Sequence, residues 1–122
     1  MGLLNRDQFL AVDSRKTEVV DVPELGEGAQ IKIRSWSVGQ ANKFAKLLHE
    51  AEGQNIALTV LDLRAKVVAL SVVDEANALM FTEEDVPALE EMSPAAIDRI
   101  QSAAMKLNGF GRTTEEEDEK NA

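Results

Sequence analysis

Hydrophobic positions along this chain switch between two-residue and three-to-four-residue spacing, and the longest apolar stretch, Ile56 to Val73, carries them on two sides of a helix. Stepped at about 100° per residue, Ile56, Val60, Leu63, Val67 and Leu70 line one side, while Leu58, Leu61, Val68 and Val72 line the other. Polar seams hold Asp62 with Lys66, and Arg64 with Ser71. A helix apolar on two sides has to be covered on two sides, so the segment is expected inside a layered core or between the core and a partner.

Other elements follow from the same pattern. Asn5 can cap a short helix through about Val12, with Phe9 and Leu10 as its apolar contacts. From Thr17 to Val22 the spacing is that of a half-buried strand, Val20 and Val22 on one face and Thr17, Val19 and Asp21 on the other. Pro23 to Gly28 reads as a hairpin loop. Gln30 to Trp36 alternates again, with Ile31 and Ile33 inward and Lys32 and Arg34 outward. A hairpin over 16–36 is marginal alone and needs helices, further strands or another chain against it.

Ser37 and Gln40 have the form of a reciprocal cap, so a helix is expected from Val38. Its stripe is Val38, Ala41, Phe44, Leu47, Leu48 and Ala51, and Gly53 stops it. The central helix is expected to end near Asp74, followed by a polar turn and an apolar plug, Leu79-Met80-Phe81, that returns to the core. Thr82 with three acids after it, and Ser93 with Pro94, open two more helices. The last ends at Asn108-Gly109, with Ile97, Ile100, Ala104 and Leu107 as its stripe.

The expected fold is α+β: a β-hairpin followed by a small, mainly helical bundle of about four helices, near 37–52, 55–73, 82–91 and 93–108. Residues 1–111 form one domain, and 112–122, rich in Glu and without a large apolar residue, read as a disordered acidic tail.

Charge narrows the function. Against 13 basic residues stand 22 acidic ones, a formal charge of −9, which argues against direct binding to a nucleic-acid backbone. The chain has no cysteine, so disulfides, thiolate metal sites and cysteine nucleophiles are excluded together. No apolar run of signal-peptide or membrane-spanning length is free of charge, and a cytosolic protein is expected. His49, the single histidine, lacks ligands at metal-binding spacing and reads as a solvated side chain. The paired acids Asp74-Glu75, Glu83 to Asp85 and Glu90-Glu91 fall at turns or helix ends, where solvation and the helix dipole account for them. No Gly-rich phosphate loop or nucleophile motif occurs. No enzyme, cofactor or metal site is expected.

Several segments resemble one family in order. Asn5-Arg6-Asp7 near Phe9-Leu10-Ala11, then Lys16 to Pro23, then a hairpin into Ile31-Lys32-Ile33-Arg34, is similar to the opening of phage tail assembly chaperones from long, non-contractile-tailed phages. Arg64 to Val73, Asp74-Glu75, Leu79 to Val86, Leu89 to Met92 and the Ala-rich helix closing on Leu107-Asn108-Gly109 continue the resemblance, which covers roughly 3–110. At Glu75 to Ala78 the sequence departs from that pattern, where a Gly is expected in the turn. The resemblance implies a non-enzymatic protein of the infected host's cytoplasm, absent from the mature virion. Such a protein binds the tape-measure protein, keeps it soluble and helps recruit subunits of the major tail-tube protein; the family often also has a longer, frameshifted form.

Self-association is expected as well, because the two-sided helix and the hairpin both call for company. The candidate interaction surface is Val19, Val22, Ile31, Ile33, Trp36, Leu58, Leu61, Val68 and Val72, with no membrane partner. The alternative is an acidic DNA mimic or regulatory inhibitor, which would set its carboxylates in phosphate-like rows.

Overall fold

The computed structural model describes residues 2–53 and 63–110. Helix α1 (Arg6–Ala11) leads to strands β1 (Thr17–Asp21) and β2 (Gln30–Arg34), and helices α2 (Val38–Gly53) and α3 (Arg64–Ser71) follow. Strand β3 (Val72–Val73) comes next, then α4 (Val86–Glu90) and α5 (Pro94–Leu107). The architecture is α+β, a three-stranded antiparallel sheet of order β1-β2-β3 with helices packed on one face.

The hairpin forms where alternation places it. Val20 stands opposite Ile31 and Glu18 opposite Ile33, so Val20, Ile31, Ile33 and, two residues beyond Val20, Val22 look toward the helices. The connection is a single 3₁₀ turn at Pro23–Leu25, followed by Gly26 at φ 142° and Gly28 at φ 75°, backbone that side-chain-bearing residues rarely adopt. Arg99 of α5 grips Glu24 in this loop through both carboxylate oxygens, at 2.8 and 2.9 Å, and so fixes the hairpin tip to the helical layer.

The expected central helix differs in extent. Its described part is α3, which ends at Ser71; Val72 and Val73 leave the helix and pair with Ile33 and Lys32 of β2. A local turn makes this possible. The Asp74 carboxylate accepts the amides of Ala76 and Ala78 at 2.8 and 3.0 Å, Asn77 takes φ 66°, and the chain returns so that Leu79 bridges to Val73 and the Met80 amide donates to the Val72 carbonyl at 3.1 Å. Asn77 thus occupies the left-handed position for which a Gly is expected; Asn tolerates it better than most residues. The third strand covers the far edge of β2, so the hairpin gains its support from within the chain.

Two-sided burial of α3 holds in the described residues, with Leu63, Val67, Val68 and Ala69 all in the core. Ser71, expected in a polar seam, is fully buried: its hydroxyl accepts the Trp36 indole N–H at 2.8 Å and donates to the Val67 carbonyl at 2.7 Å. Trp36, Phe44 and Phe110 form an aromatic cluster with ring centroids 5.1 to 6.2 Å apart. The Trp36 amide donates to the Asn108 side chain at 2.7 Å, which locks the strand-to-helix junction to the end of α5.

Ser37 and Gln40 cap α2 reciprocally, at 3.0 and 3.1 Å, as their spacing predicts. Of the expected stripe Phe44 is buried, Leu47 and Leu48 are half-buried, and Val38 and Ala41 are exposed. The first turn of α2 therefore projects past the core. Likewise Phe81 packs against the core while Leu79 and Met80 stay at the surface, because Leu79 is held at the sheet by its bridge to Val73. Thr82 and Asp85 form the expected cap, but the helix after it is split into a 3₁₀ turn and α4. Helix α5 buries Ile97, Ile100, Ala104 and Met105, and Ser93 precedes it without making a side-chain cap bond. Ile56, Leu58, Val60, Leu61 and the tail 112–122 lie outside the described residues.

Candidate functional site

Three features of the described surface stand out as recesses or rims. The first is the rim of the sheet: among the described residues β1 is the terminal strand, paired only on its β2 side. Val19, on the face turned away from the helices and opposite Lys32, is 58% exposed. A rim of this kind offers unpaired amides and carbonyls to an incoming strand. Asp21 is joined across the hairpin to Gln30 at 2.8 Å, so the end of the strand is held in register.

The second is a cleft of about 620 Å³ between β1 and α5, lined by Glu18, Val20, Asp21, Asp98, Arg99 and Lys106 among others. Its charges are mixed and partly paired: Asp98 accepts from Arg64 at 2.6 Å, and Arg99 is engaged by Glu24. Arg99 beside it holds the Glu24 carboxyl below its ordinary 4.5, and the guanidinium is correspondingly raised. Charges already satisfied at home have little to gain from a ligand, so this cleft is primarily a seam of the fold.

The third is a groove of about 480 Å³ between α2, α3 and residues 79–87. Leu47, Ala69, Leu70 and Phe81 make it apolar, Leu79 and Pro87 stand at its edges, and Lys43, Lys66 and Glu83 bring charge to it. Periodicity marks Leu47, Leu70 and Phe81 as core positions, and they are half-buried; the groove exists because the chain covers them only in part. The signal that could have revealed it is the pair Lys43 and Lys66, basic residues flanking apolar stripes in an acidic chain.

Among the described residues, titratable side chains do not gather in the same way. His49 is exposed on α2, and among the described residues no three His, Asp or Glu side chains gather as a metal site would require. None of the described helices is long and apolar enough to cross a membrane.

The residues expected to form an interaction surface separate clearly. Val22, Ile33, Trp36, Val68 and Val72 lie in the core, from 0 to 9% exposed, where they join sheet to helices. Val72 does so from β3, not from a helix face. Ile31 is half-buried against the core, and Val19 stands outside. Leu58 and Leu61 fall outside the described residues.

The described surface thus presents an open strand rim and an apolar groove. The model of one family, phage tail assembly chaperone, matches residues 10–121. The chain belongs to that family. The match runs through the hairpin, the groove and α5 alike, so it spans nearly the whole chaperone, and its role is in phage tail assembly. No curated protein and no solved structure matches the chaperone.

Proposed function

We propose that this chaperone acts without catalysis, by binding the tape-measure protein in the host cytoplasm, keeping its apolar helical surface from aggregating and helping to recruit major tail-tube subunits to it. It then stays out of the mature virion. The observation that carries the reading is the family match over residues 10–121, on a chain that keeps an apolar groove and a free strand rim open. Extended segments are recognised by strand rims, so a stretch of the client outside its helices can be held along β1. The acidic balance supports the same reading, since a formal charge of −9 keeps a coated client in solution by repulsion between complexes.

Co-expression tests it. With the tape-measure gene of the same phage, this chain is expected to raise the soluble client several-fold and to be captured with it. An insoluble client at every expression ratio, with no capture, would reject the reading.

A further inference from the structure

The segment before β1 is the described stretch whose apolar side chains are least covered. α1 is properly started, by reciprocal bonds between Asn5 and Gln8 at 3.0 and 2.9 Å, yet none of its residues is buried. Phe9 is 69% and Leu10 64% exposed, and Leu3, Leu4 and Val12 are exposed with them. A helix of six residues gains too little from its own backbone bonds to persist alone, so this arm is shaped to be packed against something.

The groove between α2, α3 and residues 79–87 is complementary to it. Its floor of Leu47, Leu70 and Phe81 is apolar, and its charges are Lys43, Lys66 and Glu83. Neither lysine is paired with an acid among the described residues. In the arm, Asp7 precedes Leu10 by three residues and so shares its side of the helix; it pairs with the adjacent Arg6 at 3.2 Å, a fully solvated contact between neighbours that costs little to exchange for lysines at the edge of an apolar groove. An apolar pair flanked by one acid and one base thus meets an apolar floor flanked by bases and one acid.

We propose that the arm Leu3–Val12 of one copy seats in this groove on a second copy, Phe9 and Leu10 entering the floor and Asp7 facing Lys43 and Lys66. A second copy is favoured over the same chain because both surfaces stand open together in one molecule, while the root of the arm is fastened elsewhere. Asp13 pairs with Arg34 at 3.0 Å, and Arg15 donates to the Ser35 carbonyl at 2.8 Å and to Gln40 at 2.9 Å. Each copy would give an arm and receive one, a heterologous contact that extends in one direction instead of closing as a dimer. Extension of that kind lets copies be laid one after another along an extended client; this use rests on the function proposed above. Residues Leu3 to Phe9 precede the part matched by the family model, so the contact goes beyond what that match carries. An arm this short falls below the roughly 800 Å² per partner of a standard interface, which makes the contact weak and dependent on concentration.

The absence of native cysteine permits a clean test with full-length chains. Ala11→Cys in one chain and Leu79→Cys in a second, differently tagged chain place thiols at exposed positions in the arm and at the groove edge. Mixed under mild oxidation, they are expected to give the mixed disulfide at least ten-fold faster than Ala11→Cys with a control, Leu25→Cys, on the exposed hairpin tip. Lys43→Glu with Lys66→Glu in the groove chain is expected to abolish that excess, and Asp7→Lys in the arm chain to restore it. Circular dichroism of each variant checks that the exposed substitutions leave the fold intact. A mixed disulfide no faster than the control would overturn the proposal, as would an Ala11→Cys/Leu79→Cys double variant that closes only within one chain. Client solubility, scored separately by co-expression, distinguishes the two readings. Phe9→Asp with Leu10→Asp, made in the Ala11→Cys chain, that ends the excess cross-linking and leaves the client soluble upholds the contact and limits it to self-association. Groove variants that release the client without changing the cross-linking rate give the groove to the client and overturn it.

Discussion

Ser71 shows how a polar side chain becomes part of a core. Its hydroxyl sits between the Trp36 indole and the Val67 carbonyl, so neither the indole N–H nor the hydroxyl is left without a partner. Ser71→Ala is expected to lower stability by about 1–3 kcal/mol, since the indole donor stays buried and loses its acceptor; denaturant unfolding measures it. The charged residues at the arm's root respond to acid. Asp13 is held below its ordinary 3.8 first by the hydrogen bond from Arg34, then by the Arg15 amide. Its folded value being depressed, the stabilisation it gives is present above 3.8 and is lost as pH falls through the folded value. Carboxyl-carbon NMR is expected to show an Asp13 midpoint below 3.8, and Arg34→Gln to return it toward that value.

Elements were legible where their causes are local. The caps at Asn5, Ser37 and Thr82 form from residues three apart in sequence, and the strand alternation of the hairpin shows in its own side chains. Strand β3 was not legible, because Val72 and Val73 continue the helical stripe of α3; what takes them out of it is pairing with Ile33 and Lys32, some forty residues away in sequence. The turn that lets them pair depends on Asn77 at φ 66°. Asn77→Val is expected to cost about 1–2 kcal/mol and Asn77→Gly close to nothing, as read from thermal unfolding of the two variants. α1 gives the opposite lesson. Its cap is plain in the sequence, but a cap says only where a helix begins, and whether Phe9 and Leu10 are covered depends on the rest of the molecule.

The whole molecule explains why the interaction surface was harder to read than the fold. An apolar stripe has the same period whether its own chain or another covers it, and the packing of sheet on α3 and α5 draws Val22, Ile33, Trp36, Val68 and Val72 inside. Val19 stays outside since it points away from the helices, and the groove is what that packing leaves partly open. Two substitutions separate these roles. Ile33→Ala, at a fully buried position, is expected to cost about 2–5 kcal/mol in denaturant unfolding. Val19→Asp is expected to change stability by less than about 0.5 kcal/mol while lowering client solubility on co-expression. At Ser71–Val72 the last residue of α3 is followed at once by the first of β3, with no linker between them. A pull on β3 is therefore borne directly by the last turn of α3, with no slack of chain to take it up.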